Sequence, residues 1–160
     1  MTSVSLDEPE LDRWGRAVGA AAARSDVFVA LFGPLGAGKT RFVQAACAGA
    51  GVREPVTSPT YTLVRWYAGS RGPVAHADLY RIDDPSQLPG LGWEELESGA
   101  GPVFVEWAER AGPELPPDRW EVRFEIDAGG HTRTVRARSL GAAPPVPEPA
   151  EYAHGPEAAC

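Results

Sequence analysis

Lysine is almost missing from this chain of 160 residues: of fifteen Lys and Arg side chains only Lys39 is a lysine, which leaves fourteen arginines. Surface positive charge is therefore supplied without lysine, and the single exception asks for a chemical reason rather than a compositional one. Basic charge as a whole is also scarce. A net charge of −7 and a pI near 5.0 exclude a protein that binds nucleic acid by broad phosphate neutralisation, because no basic face can be large under that balance. Any role around RNA then implies a partner that holds it. Cysteine is limited to Cys47 and Cys160, too few and too separated for a disulfide framework or a metal knuckle. Cys47 reads as a small buried hydrophobe. Long apolar runs are missing as well. The most apolar region, 17–35, is broken by Arg24, Asp26, Gly33 and Pro34, so it falls short of the roughly 20 residues a membrane span needs. The first ten residues carry Asp7, Glu8 and Glu10 where an export signal carries basic residues. These absences predict a cytoplasmic protein of one domain.

What is there centres on that lysine. Gly33-Pro34-Leu35-Gly36-Ala37-Gly38-Lys39-Thr40 matches the phosphate-loop pattern G-x-x-x-x-G-K-[ST]. Glycines at 33, 36 and 38 let the backbone turn tightly, so that successive N–H groups point into one concavity at the start of a helix, where the dipole favours an anion. Lys39 would reach the β- and γ-phosphates as a point charge, which arginine's planar fork does not duplicate. Thr40 would place its hydroxyl on Mg²⁺. The flanking pattern agrees: 27–32 is a nearly all-apolar, β-branched run that reads as a strand buried on both faces, and 39–50 continues as a helix stopped by Gly49 and Gly51.

Around this unit, residues 10–24 read as an amphipathic helix with Leu11, Trp14 and Val18 at helical spacing. Residues 60–67 and 74–79 read as strands, Asp84-Pro85-Ser86 as a helix start with a short helical stretch near 93–96, and 103–107 as another apolar strand. Segments 120–126 and 132–138 alternate around Asp127-Ala128-Gly129-Gly130, the pattern of a terminal antiparallel hairpin. The fold class expected is α/β, a phosphate-loop NTPase with a mixed, mostly parallel sheet flanked by helices. Residues 1–140 are expected to form the phosphate-loop domain. From Gly141 onward prolines, alanines and glutamates dominate without a periodic apolar face, which predicts a disordered tail over 141–160.

A phosphate loop needs an acid on a neighbouring strand, since Mg²⁺ keeps several waters and takes only one or two carboxylates. Glu106 ends the stronger apolar run and is assigned to the magnesium shell; Asp78 ends the weaker run and takes the second role, orienting water or the metal's outer shell. Ser58-Pro59-Thr60-Tyr61-Thr62-Leu63 has two readings, a segment that closes over the γ-phosphate with a threonine near the metal, or a plain strand start. Trp107 either stacks on a partner or fills the core. His76 has no second histidine or cysteine at ligand spacing, so it reads as a satisfied or surface histidine.

The segments GPLGAGKT, SPTYTL, HADLYR at 76–81 and VEW at 105–107, in this order and spacing, resemble the TsaE (YjeE) family of bacterial tRNA threonylcarbamoyladenosine synthesis over roughly residues 10–140. The resemblance implies ATP and Mg²⁺ binding, and ATP hydrolysis coupled to the TsaB–TsaD complex that modifies adenosine 37 of tRNAs reading codons that begin with A. It puts the nucleotide loop on Leu35, Gly36, Ala37, Gly38, Lys39 and Thr40, the metal ligands on Thr40 and Glu106, and the other essential acid on Asp78. Two positions depart from the family pattern. Pro34 stands where the family has an acid, and Leu11-Asp12-Arg13-Trp14-Gly15 stands where it offers a threonine on the adenine side. Trp14 then either stacks on the base or packs inside.

Competing functions separate on the same residues. A guanine-reading Asn-Lys-x-Asp is impossible once the only lysine is used in the loop. A small phosphate-loop kinase needs a helical lid with arginines, whereas the arginines after position 110 fall mainly in the alternating hairpin (Arg119, Arg123, Arg133, Arg136, Arg138). No strong catalytic base or arginine finger aimed at the loop is evident, which predicts slow hydrolysis alone and stimulation by partners.

Overall fold

The computed structural model describes residues 2–59 and 63–153. Seven strands form one sheet in the order β1-β7-β6-β2-β5-β4-β3: β1 (Val4–Leu6), β2 (Phe28–Phe32), β3 (Val64–Gly69), β4 (Gly72–Asp78), β5 (Val103–Glu106), β6 (Arg119–Ile126) and β7 (Arg133–Leu140). The four central strands, β6, β2, β5 and β4, run parallel to one another. The flanks are antiparallel, β3 on β4 at one edge and β7 on β6 with β1 on β7 at the other. Every side chain of β2 is buried, as the unbroken apolar run demands of a strand with neighbours on both sides and cover on both faces.

Period two sorts the residues between two cores. Val29 and Leu31 of β2, Phe104 of β5, and Trp120, Val122 and Phe124 of β6 face α1 (Glu8–Ser25) and α2 (Lys39–Gly49). Phe28, Ala30 and Phe32 face the other way, onto the short helix α3 (Trp93–Glu97) and two 3₁₀ segments, Pro85–Leu91 and Ala108–Glu114. Over β6 and β7 this second face carries Glu121, Arg123, Arg136 and Arg138, with Glu121 bonded to Arg119 and Arg138. The alternation that reads as a hairpin thus supplies one wall of core and one charged face.

α1 begins two residues earlier than its apolar spacing predicts, because Asp7 closes a capping box: its carboxylate accepts from Glu10 N–H, and Glu10 accepts from Asp7 N–H. α1 and α2 cross very closely. A Cβ on Gly19 would stand 1.8 Å from the Ala46 carbonyl oxygen, so the crossing tolerates no side chain there. Trp14, fully buried, lies 5.1 Å from Phe42 between ring centroids, and Phe42 lies 5.4 Å from Phe124. This aromatic column joins α1, the helix that follows the loop, and the sheet.

The disordered tail expected over 141–160 is not what residues 141–153 form. They run as a strap beside α1, with Val146 and Pro149 buried and a 3₁₀ turn at Pro149–Tyr152. The strap supplies two carbonyls that buried indoles need: Trp14 Nε1 donates to Pro147 at 2.9 Å and Trp120 Nε1 to Pro144 at 2.6 Å. Composition hides such a segment because its order comes from partners distant in the chain. Residues 154–160, and Thr60, Tyr61 and Thr62 of the predicted strand, lie outside the described residues.

Candidate functional site

The loop 33–40 joins the carboxyl end of β2 to the start of α2. It is wrapped rather than splayed, with Ala37 N–H donating to Pro34 O at 3.1 Å. Gly38 sits at the N-cap of α2 with φ 97°, a left-handed conformation that a side chain would oppose. No side chain caps that helix, so its first N–H groups are directed at whatever occupies the loop.

Lys39 is 4% exposed. Its Nζ donates to the carbonyls of Gly33 and Pro34, the second at 3.0 Å, and stands 3.9 Å from the centroid of the Trp107 ring. Burial lowers the pKa of this ammonium, while Glu106, Glu109 and Asp78 oppose that shift by their charge. Thr40 Oγ1 donates to Glu106 Oε1 at 2.8 Å. Glu106, 2% exposed, ends β5, and Asp78 ends β4 directly beside it in the parallel register. The two acids that the sequence marked at strand ends are therefore neighbours, and both face the loop. Asp78 is held differently: it accepts from Tyr80 N–H at 2.9 Å and from Ser58 Oγ at 3.2 Å.

These groups line one open cleft of about 370 Å³, with Lys39, Thr40, Asp78 and Glu106 on its floor side and Ser58, Leu63, Tyr80, Arg81 and Trp107 around them. Two of its non-glycine residues, Leu63 at φ 60° and Trp107 at φ 57°, hold the left-handed conformation that costs an L-residue about 1–2 kcal/mol. Strain of this kind concentrates where a protein aims side chains at a ligand. For Trp107, half-buried, it turns the ring over Lys39 and 5.0 Å from the Tyr80 ring.

Two oxygen donors 2.8 Å apart, a hydroxyl and a carboxylate beside a phosphate-loop pattern, fit a hard cation such as Mg²⁺, which accepts oxygen and takes its remaining ligands from water and phosphate. A cage made of protein alone is not offered: among the described residues no trio of His, Cys, Asp or Glu could hold a metal.

The match to known proteins follows this geometry. The family model described as threonylcarbamoyl adenosine biosynthesis protein TsaE matches residues 5–135. The chain belongs to the TsaE family. The family is one of tRNA threonylcarbamoyladenosine biosynthesis. A TsaE of Treponema pallidum is 37% identical over 131 residues, covering 82% of this chain and 96% of that one. A TsaE of Bacillus subtilis is 35% identical, covering 76% of this chain and 75% of that one. Among solved structures, the crystal structure of Bacillus subtilis YdiB superposes with a TM-score of 0.69 at 29% identity, covering 88% of this chain and 86% of that one. The mixed α/β fold expected from the sequence is the TsaE fold.

Other positions of this TsaE-family chain resolve as follows. Trp14 packs inside rather than facing the cleft. Arg81 stands exposed on the cleft wall, a basic group near the loop that the reading of hairpin arginines overlooked; its place in HADLYR, three residues after Asp78, was the available signal. His76 is satisfied on one side only. It is fully buried, with Nε2 2.5 Å from Glu106 Oε2. The search for a second metal ligand at sequence spacing missed this contact, because the partner lies on the adjacent strand. Among the described residues no helix is long and apolar enough to cross a membrane.

Proposed function

We propose that the protein binds ATP with Mg²⁺ in this cleft and hydrolyses it, slowly alone and faster on the TsaB–TsaD complex, as the ATPase of tRNA N6-threonylcarbamoyladenosine formation. The single observation that carries the reading is the meeting of Lys39, Thr40 and Glu106 at the head of α2. Thr40 Oγ1 and Glu106 would hold the magnesium. Bound there, Mg²⁺ supplies charge neutralisation at the phosphate oxygens.

The chain's own residues have distinct tasks. The backbone N–H groups of Leu35, Gly36, Ala37, Gly38 and Lys39 receive the phosphates together with the α2 dipole, and Gly33 lets the chain turn into the loop. Lys39 exchanges the carbonyls of Gly33 and Pro34 for phosphate oxygens, which replaces neutral acceptors with charged ones. Asp78, held by Ser58 and by the Tyr80 N–H, is fixed to accept from a water at the cleft. Slow turnover alone follows because Lys39 is engaged by the loop itself and, among the described residues that line the cleft, no histidine or cysteine stands beside the carboxylates. Transfer RNA is then met through the partner complex, consistent with a net charge of −7. Membership of a tRNA threonylcarbamoyladenosine biosynthesis family supports this reading over a small-molecule kinase.

The test is turnover of ATP with and without the TsaB–TsaD pair, alongside calorimetric titration of Lys39→Ala. Stimulation by the pair, and loss of ATP binding in the variant with an unchanged fold, are expected. Equal rates with and without partners, or undiminished binding by Lys39→Ala, would refute the proposal.

A further inference from the structure

His76 is a costly residue for its position. It is 0% exposed in the middle of β4, with Val74 on the same face and apolar neighbours on β5. Its Nδ1 has no hydrogen-bond partner among the described residues. An aliphatic side chain would fill such a space without stranding a ring nitrogen away from water. What the imidazole adds is one directed contact, Nε2 to Glu106 Oε2 at 2.5 Å. An ionised carboxylate accepts and does not donate, so Nε2 carries the hydrogen of this contact.

The strand register explains why this contact matters. His76 lies opposite Phe104, and Asp78 lies opposite Glu106, on adjacent parallel strands. The glutamate side chain therefore reaches back along β5 with one oxygen, Oε2, to the nitrogen donor of His76 on β4, and forward with the other, Oε1, to Thr40 of α2. A metal held between Thr40 and Glu106 would compete for Oε1, whereas the His76 contact is made to Oε2. His76 is the tether that remains. We infer that His76 is a positioning residue, whose Nε2–H fixes the Glu106 carboxylate with Oε1 presented to the cleft and thereby sets the affinity of the nucleotide complex for its divalent cation. This rests on the Mg·ATP reading above.

The experiment uses the full chain with His76→Leu, which keeps bulk and removes the donor, and His76→Gln, which returns an N–H at nearly the same reach. Three quantities are read: Mn²⁺ affinity of the ATP-bound protein by electron paramagnetic resonance, ATP affinity in chelator without metal, and melting temperature. His76→Leu is expected to weaken Mn²⁺ binding about 10–100-fold, the range typical when the partner of a metal ligand is lost, with metal-free ATP affinity unchanged and His76→Gln restored to within a few-fold of the parent. If His76→Leu does not fold, His76→Asn, whose shorter arm withdraws the donor, carries the same expectation. Mn²⁺ affinity unchanged by loss of the donor overturns the inference. So does a Gln variant as weak as Leu, or a parallel loss of metal-free ATP binding, since either marks a packing role. The Mg·ATP reading fails separately, in the parent protein, if that protein takes up no ATP-dependent Mn²⁺.

Discussion

Replacing Trp14 by phenylalanine separates packing from nucleotide contact at a position for which the sequence alone allows either. The indole is fully buried, tilted against Phe42, and donates to Pro147 O at 2.9 Å. Phenylalanine keeps the ring contact but forfeits that hydrogen bond, a net loss of about 1 kcal/mol. It also leaves a gap where the second ring was, adding about 1 kcal/mol by comparison with small core truncations. Together these give about 2 kcal/mol, or a fall in melting temperature of about 4–8 °C for a domain of this size. Trp14→Ala removes the whole ring system at about 3–5 kcal/mol, a large share of the 5–15 kcal/mol that holds a typical domain. The assay is a calorimetric scan paired with ATP titration below the transition. Because Trp14 faces Phe42 and the strap rather than the cleft, ATP affinity of the phenylalanine variant should stay within about twofold. A tenfold loss of affinity at an unchanged melting temperature would refute the reasoning and return Trp14 to the base.

Three further outcomes follow from other contacts. Glu106→Ala should raise the Mg²⁺ concentration for half-maximal hydrolysis about tenfold or more, and more than Asp78→Ala does; the reverse ranking exchanges their roles. Asp127 accepts hydrogen bonds from Ser5, Thr132 and Thr134, and these, Ser5 foremost, depress its pKa from an ordinary 3.8 to about 2. A depressed folded pKa gives stability that is full above 3.8 and lost as pH falls toward 2, so Asp127→Asn should flatten that part of an acid-unfolding curve; a parent curve with no slope there contradicts it. Burial pushes the Cys47 thiol up to about 12, so iodoacetamide at pH 8 should spare Cys47 in peptide maps of the native protein and label it in urea.

The sequence made the central unit legible because each of its signals is local. An apolar run, three glycines and a lysine specify strand, loop and helix without reference to anything distant, and β6 with β7 announce themselves by alternation. Glu106 and Asp78 were legible as acids ending runs, but their adjacency is a fact of strand order, β5 beside β4. What stayed hidden was non-local in each case. β1, three residues long, is too short to display a period and exists because β7 offers an edge. The strap at 141–153 has no face of its own and is ordered by indoles more than twenty residues away. His76 looked solitary because its partner is thirty residues further on.

The lone lysine gives this chain a property that most proteins lack. Apart from the α-amino group, its sole amine is the one at the head of α2, so an acylating reagent that adds mass at an ε-nitrogen reports on a single address. With the α-amino group blocked beforehand, occupancy of the cleft can be followed by intact mass, with no engineered reporter introduced.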